Sequence, residues 1–347
     1  MKPAAFGLLP TDYRACPNDP GFVFERVQRV AEWSAEGPVL GKEGRAYLDG
    51  FDLSLPEIVS ATTSSDDATK FVLRFGDGKL TECVHMPRDV KSPRVTLCIS
   101  SQVGCGMGCT FCATAGMGFV RQLTAAEIVA QVLTMLRARG PATLGRVSIV
   151  FMGMGEPLHN FAEVMRAVNV LAHPRGLGIA PSRMTVSTSG LVPQIDALGS
   201  EPVRPQLAIS MNATTDETRS RLMPVGKTWN LTALREALVR FPFRPHEKLT
   251  IEYVLLRGEN DTLEDAERLA TFAQGFRHNV NVIPFNAFEG APYEEPEEET
   301  TRAFVDRLHA LGSFVTVRKS RGRDVAAACG QLVQLTQKRE KRGAVAR

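Results

Sequence analysis

The sequence predicts an α/β protein: a partial, open (βα)6 barrel preceded by a small N-terminal α+β accessory domain. Three observations carry this. From about residue 94 onward, six short apolar segments alternate with six amphipathic ones. Each apolar segment is nearly continuous in hydrophobic residues, as strands covered on both faces are. Six units fall short of the eight that close a full barrel. A doubly wound sheet fits the count almost as well. The expected boundaries are 1–90 for the accessory domain and linker, 91–335 for the barrel, and 336–347 for a basic tail.

The accessory region begins with an amphipathic helix over 22–33, with Phe22, Val27, Val30 and Trp33 apolar. Residues 70–75 and 79–85 alternate in polarity around Gly76-Asp77-Gly78, a hairpin signature. Residues 87–93 read as a linker. The first barrel strand spans 94–100, and a glycine- and cysteine-rich loop occupies 101–119. A helix over 123–139 follows, with Thr124 and Glu127 as a capping box and Gly140 as its stop. Strands are then expected at 147–152, 184–187, 206–210, 249–256 and 279–284, with one more short strand at 314–318. Helices are expected at 161–171, near 192–198, around 231–241, and at 262–274 and 297–311.

Composition narrows the class. Hydrophobic residues make up 44% and charged residues 23% of the 347, which excludes global disorder. The apolar runs are far below the ~20 residues of a membrane span. No secretory signal is visible, so the cytoplasm is the expected compartment and no membrane partner is expected. The 41 basic and 38 acidic residues give a net charge of +3, too mild to demand a nucleic-acid partner and no obstacle to one. Arg318-Lys319-Ser320-Arg321-Gly322-Arg323 concentrates positive charge just before Cys329; taken alone this is a solvated basic loop.

Seven cysteines are present, and three form Cys105-Gly-Met-Gly-Cys109-Thr-Phe-Cys112. This C-x3-C-x2-C run follows the first barrel strand. An odd, clustered count does not describe a secreted disulfide framework. Structural zinc takes four protein ligands, and the obvious fourth is missing here. Three thiolates suit a four-iron cluster with one iron left open. Gly104, Gly106 and Gly108 let the loop wrap a bulky inorganic core. A zinc-dependent RNA-binding protein is the alternative from another class. Cys16 and Cys83 read as structural. Gly153–Pro157, after the second strand, is a turn whose backbone groups and Glu156 could meet a ligand ammonium. Cys329 lies among small residues, a setting more often inert than reactive.

The C-x3-C-x2-C placement resembles radical S-adenosylmethionine (SAM) enzymes. Longer pieces narrow the resemblance. Cys98-Ile-Ser-Ser-Gln-Val-Gly-Cys105, Met152-Gly-Met-Gly-Glu-Pro-Leu, Ser187-Thr-Ser-Gly, Ala208-Ile-Ser-Met-Asn-Ala, Ile283-Pro-Phe-Asn-Ala-Phe and Ala328-Cys-Gly-Gln-Leu332 run collinear with the RlmN/Cfr family of RNA adenine methyltransferases. The match covers about residues 82–332.

The resemblance implies a [4Fe-4S] cluster on Cys105, Cys109 and Cys112, and two SAM molecules per turnover. It implies SAM contacts from Gly155, Glu156, Ser187, Ser210, Met211, Asn212 and Asn286; some relatives have histidine in place of Asn212. It implies that Cys329 carries a methyl group, that a radical on this group bridges protein to adenine, that Glu82 takes the ring proton, and that Cys98 releases the product through a transient disulfide. With Cys329 in that role, the resemblance makes the basic loop of Arg318, Lys319, Arg321 and Arg323 an expected contact for RNA phosphate. The implied product is 2-methyladenosine in the peptidyl-transferase centre of 23S rRNA and, in some members, beside the anticodon of tRNA. A Cfr-like C8 outcome is the near alternative, and Ala113-Thr-Ala-Gly116 lacks the Thr-Gly-Asp associated with it. An electron donor such as flavodoxin or ferredoxin and a thiol reductant are the remaining implied partners.

Overall fold

Helix α1 (Pro20–Gln28) starts where Asp19 accepts the Gly21 N–H at 3.1 Å, with proline at its first position. A computed structural model describes residues 2–34, 37–88, 94–139, 147–318 and 320–332. α1 ends short of the expected residue 33, because the Trp33 indole folds back to donate to the Arg26 carbonyl at 2.8 Å. A short α2 (Lys42–Leu48) follows. Strands β1 (Glu57–Thr63), β2 (Thr69–Arg74) and β3 (Leu80–Arg88) form an antiparallel meander. The β2–β3 hairpin is the expected one, with Gly78 at φ +80°. β1 was not anticipated: it is exposed on most of its length and shows no buried alternation.

β4 (Arg94–Cys98) pairs antiparallel with β3, matching Val84 to Cys98 and Arg88 to Arg94. The meander therefore extends the barrel sheet directly. Pro87 and Arg88, expected in a linker, belong to β3. The rest of that linker, the Gly140 stop and the basic tail lie outside the described residues.

A small hairpin, β5 (Gln102–Gly104) and β6 (Phe119–Gln122), closes the cysteine loop. Helix α3 (Ala125–Arg139) has the predicted capping box: Glu127 N–H donates to Thr124 Oγ1 at 3.2 Å, and Thr124 N–H to Glu127 Oε2 at 2.9 Å. The alternation continues through β7 (Val147–Phe151), α4 (Phe161–Ala172), β8 (Met184–Thr188), α5 (Val192–Gly199) and β9 (Gln206–Ser210). Next come α6 (Asp216–Leu222), α7 (Leu231–Arg240), β10 (Leu249–Leu255) and α8 (Leu263–Phe272). β11 (His278–Pro284), α9 (Glu298–Ala310) and β12 (Val315–Val317) complete the unit. α6 has no counterpart in the sequence expectation, since seven residues with little apolar content carry no helical stripe.

The large sheet runs β1-β2-β3-β4-β7-β8-β9-β10-β11-β12, and its members from β4 onward pair in parallel. Those strands lie in chain order. A doubly wound sheet would reverse order at a switch point, so the partial barrel is the architecture. β1 and β12 stay at opposite edges, which leaves the barrel open.

Ser100 ties this frame together just past β4. Its N–H donates to Gln131 Oε1, and its carbonyl accepts Gln131 Nε2, each at 2.9 Å. Gln131 is fully buried on α3. Gln131→Ala strands both backbone groups away from water, at roughly 1–3 kcal/mol for each orphaned group. Urea unfolding is expected to show a loss of about 2–5 kcal/mol; a loss below about 1 kcal/mol would mean water replaces the amide without cost.

Candidate active site

The cysteine loop is held at both ends. Cys105 N–H donates to the Gly118 carbonyl at 2.9 Å, and Gly104 sits at φ +74°. A Cβ on Gly104 would stand 2.0 Å from the Gly118 oxygen, so only glycine fits. Thr110 N–H reaches the Leu222 carbonyl at 3.0 Å, and Ala113 N–H the Gly330 carbonyl at 2.8 Å. The second bond lays the loop against the chain beside Cys329.

Cys105, Cys109 and Cys112 line one inner cavity of about 170 Å³. Among the described residues, no three His, Cys, Asp or Glu side chains converge where a single metal ion would sit. A tetrahedral zinc site needs such convergence. An iron–sulfur cluster spreads its thiolates over separate irons, so three sulfurs around one cavity fit it. Burial pushes the Cys105 thiol up to about 12 and raises the Cys109 thiol as well. Metal binding by these thiols therefore releases protons.

The wall opposite is the turn after β7. Gly153 N–H donates to the Ile99 carbonyl at 3.0 Å, and a Cβ there would stand 2.7 Å from that oxygen. Gly155 has φ +100°, with the Gln102 side chain filling the place of a Cβ. Glu156 is buried and accepts the Leu158 N–H at 3.0 Å and the Ser189 N–H at 2.8 Å. Burial raises its carboxyl, and the Ser189 N–H is the leading opposing influence. Its first task is thus to join the turn to the loop after β8, although it also faces the cavity.

The other expected contacts arrive from successive strand ends, where βα folds build sites. Ser187 and Ser210 place their hydroxyls 3.3 Å apart. Asn212 has φ +52°, and its Oδ1 accepts the Val254 N–H at 2.8 Å. Its Nδ2 meets only a soft acceptor, Met223 Sδ at 3.4 Å. Asn286 donates to the Cys329 carbonyl at 3.3 Å, while its Oδ1 is buried without a partner among the described residues. Such an orphan acceptor suits a ligand donor.

Met211 follows Ser210 at the end of β9. Its side chain is buried in the main core and lies outside the cavity lining. Strand alternation turns it away from the face that Ser210 presents.

A second, outer cavity of about 510 Å³ is lined by Met86, Thr96, Cys98, Val150, Arg321 and Ala327 among others. Met152, Ile283, Arg318 and Cys329 line both cavities. They form the partition. Cys329 is exposed and lines both cavities. Burial raises its thiol, opposed by the Arg318 guanidinium. Cys98 is buried, and that burial together with the nearby Cys329 sulfur pushes its thiol up to about 12. Both sulfurs rest protonated at neutral pH.

Glu82 shares the sheet face of Cys98, since Val84 pairs with Cys98 and Glu82 stands two residues before Val84. It lines neither cavity. It is buried, with Oε1 3.6 Å from Lys70 Nζ. The arginines of the basic loop have partners within the fold. Arg318 pairs with Glu252 at 3.4 Å, Arg323 with Glu295 at 2.5 Å, and Arg321 donates to the Asp66 and Pro87 carbonyls. Arg323 stays half-exposed in its pair, and Lys319 lies outside the described residues. Sequence reasoning missed Glu252. It is buried on β10, lines the inner cavity, and keeps Oε2 without a partner among the described residues. A carboxylate inside the apolar run of β10 was the signal.

With this geometry in hand, the relatives become informative. Residues 99–273 match the Radical SAM superfamily model. The chain is 41% identical to the dual-specificity RNA methyltransferase RlmN of Dinoroseobacter shibae, over 91% of this chain and 84% of that protein. It is 43% identical to RlmN of Paracoccus denitrificans, over 92% and 85%. A crystal structure of a radical SAM methyltransferase from Sphaerobacter thermophilus superposes with a TM-score of 0.88 at 38% identity, covering 95% of this chain and 99% of that one. The chain belongs to the RlmN family of radical SAM methyltransferases. Membership implies a [4Fe-4S] cluster and SAM, and it displaces the zinc-binding alternative. Among the described residues no helix is long and apolar enough to cross a membrane.

If the three loop thiols hold the cluster, alanine at Cys105, Cys109 or Cys112 should each reduce iron and sulfide to background in anaerobically purified protein. Alanine at Cys16 or Cys83 should leave both unchanged. Full iron retention in any of the first three variants would remove that cysteine from the ligand set.

Proposed function

We propose that this RlmN-family chain methylates C2 of adenine in the peptidyl-transferase centre of 23S rRNA, and of the adenosine 3′ of the anticodon in tRNA. The observation that carries the reading is the position of Cys329. Cys329 lines both the cavity that Cys105, Cys109 and Cys112 line and the cavity that Cys98 lines. A methyl carrier must face both its donor and its acceptor. The outer cavity, at about 510 Å³, has the volume of a small-molecule site and admits an everted base.

Cys105, Cys109 and Cys112 would hold the cluster. Gly155, Glu156, Ser187, Ser210, Asn212 and Asn286 would orient SAM, with Met211 contributing backbone only. When bound, SAM would serve twice per turnover, once as methyl donor and once, reduced through the cluster, as source of a 5′-deoxyadenosyl radical. Cys329 would accept the methyl group through sulfur and lose one of its hydrogens to that radical; the remaining methylene carbon would bond to the ring carbon, and the unpaired electron would return to the oxidised cluster. Glu82 takes the proton from that carbon. Cys98, as thiolate, attacks the Cys329 sulfur and forms a disulfide; the carbon–sulfur electron pair leaves with the methylene carbon, which takes up a proton and frees the methylated base. An external thiol reductant resets the pair, and a flavodoxin- or ferredoxin-like donor supplies electrons, in the cytoplasm. Residues 1–90 would serve as the RNA-recognition region, attached through the β3–β4 pairing. The RlmN names of the relatives favour C2 over C8.

Two thiol variants test the order of steps. Cys329→Ala should form no RNA adduct. Cys98→Ala should still bridge to RNA and then stall, giving a band on denaturing gels that ribonuclease removes. Normal turnover by Cys98→Ala, or an adduct from Cys329→Ala, would reject the mechanism.

A further inference from the structure

Lys70 is a nearly buried cation that the reaction above does not use. Its side chain is 6% exposed and that of Glu82 is 2% exposed. Nζ stands 3.6 Å from Glu82 Oε1 and donates to the Ala326 carbonyl at 3.3 Å, three residues before Cys329. Register places it with care. Lys70 pairs with Val84 across β2–β3, and Val84 pairs with Cys98 across β3–β4. Lys70, Val84 and Cys98 therefore form one cross-strand row, on the face that also carries Glu82.

The turn before Lys70 grips the same distant segment. Ser65 N–H donates to Asp324 Oδ2 at 3.0 Å, and Gly322 N–H to Asp66 Oδ2 at 3.1 Å. Ala68 and Ala327 pack in one apolar cluster with Val84, Cys98 and Met154. A carboxylate set among such neighbours stays protonated unless a cation faces it, and a protonated carboxyl is no base.

We propose that Lys70 is a positioning residue for proton removal: it keeps Glu82 ionised and ties it to the segment that carries Cys329. This rests on the reading of Glu82 as the base. In that step the carboxylate takes the ring proton, the C–H electron pair stays on the ring, and Glu82 becomes a neutral acid while Lys70 keeps its charge.

The test uses full-length enzyme made in cells, scored for Cys329 methylation by peptide mass and for the covalent RNA complex on denaturing gels. Glu82→Gln should slow release of the bridge by about 100-fold or more. Lys70→Met should leave Cys329 methylated and raise the trapped complex about tenfold or more over wild type. Lys70→Arg, which restores a cation, should lower the trapped complex again. The double variant Lys70→Met/Glu82→Gln removes both charges and so avoids an unpaired buried ion. It should trap no more complex than Glu82→Gln alone, because Lys70 acts through Glu82.

Loss of Cys329 methylation in Lys70→Met would overturn the inference, since a general collapse of the segment would then explain the defect. So would normal release by Lys70→Met while Glu82→Gln stalls, or additive trapping in the double variant. Normal release by Glu82→Gln would instead reject the base assignment itself.

Discussion

Ser100 is the joint on which the site depends. It lies just past β4, where the sheet gives way to the cysteine loop. Gln131 on α3 satisfies its backbone at both ends. Its hydroxyl donates to the Glu82 carbonyl at 2.6 Å and accepts the Met154 N–H at 2.8 Å. One small buried residue thus fixes the base strand, the start of the cysteine loop, the glycine turn and the first barrel helix relative to one another. A buried network of this kind is stable only when every member is paired, and here each polar group of Ser100 is.

That joint lets two chemistries share one partition. The cysteine loop and the glycine turn converge on the inner cavity. The outer cavity is built largely from β3, β4, β11, β12 and the segment before Cys329. Met152, Ile283, Arg318 and Cys329 separate them. Desolvation keeps the Cys98 and Cys329 thiols protonated at rest, which restrains premature disulfide formation because the thiolate is the attacking species.

The N-terminal strands are more than an attached module. They pair into the barrel edge through β3–β4, and their first turn holds the segment leading to Cys329. The bracing arginines belong to the same arrangement. Arg321 and Asp66 are 255 positions apart in the chain and in contact in space. An ion pair of this length closes the structure around the segment that carries Cys329, so RNA contacts made by this loop would compete with its internal bonds.

The sequence by itself determined the features whose physics is local. Alternation of apolar runs foretold the barrel strands and most of its helices. Thr124 and Glu127 marked the start of α3, Gly76–Gly78 marked the hairpin, and the spacing of Cys105, Cys109 and Cys112 marked the loop that lines the inner cavity. Each depends on residues a few positions apart, where propensity and spacing act directly. Only tertiary structure decided the rest. β1 was illegible because it pairs by main chain with no buried stripe of its own. Met211 sits inside a motif yet turns to the core, since strand alternation is read in register with its neighbours. Glu82 is paired with Lys70, and Glu252 keeps one oxygen without a partner among the described residues, because contacts from remote strands set their surroundings. Cys329 looked inert among alanines. It stands on the partition because Asn286 and the cysteine loop hold its segment there, through bonds that no local pattern encodes.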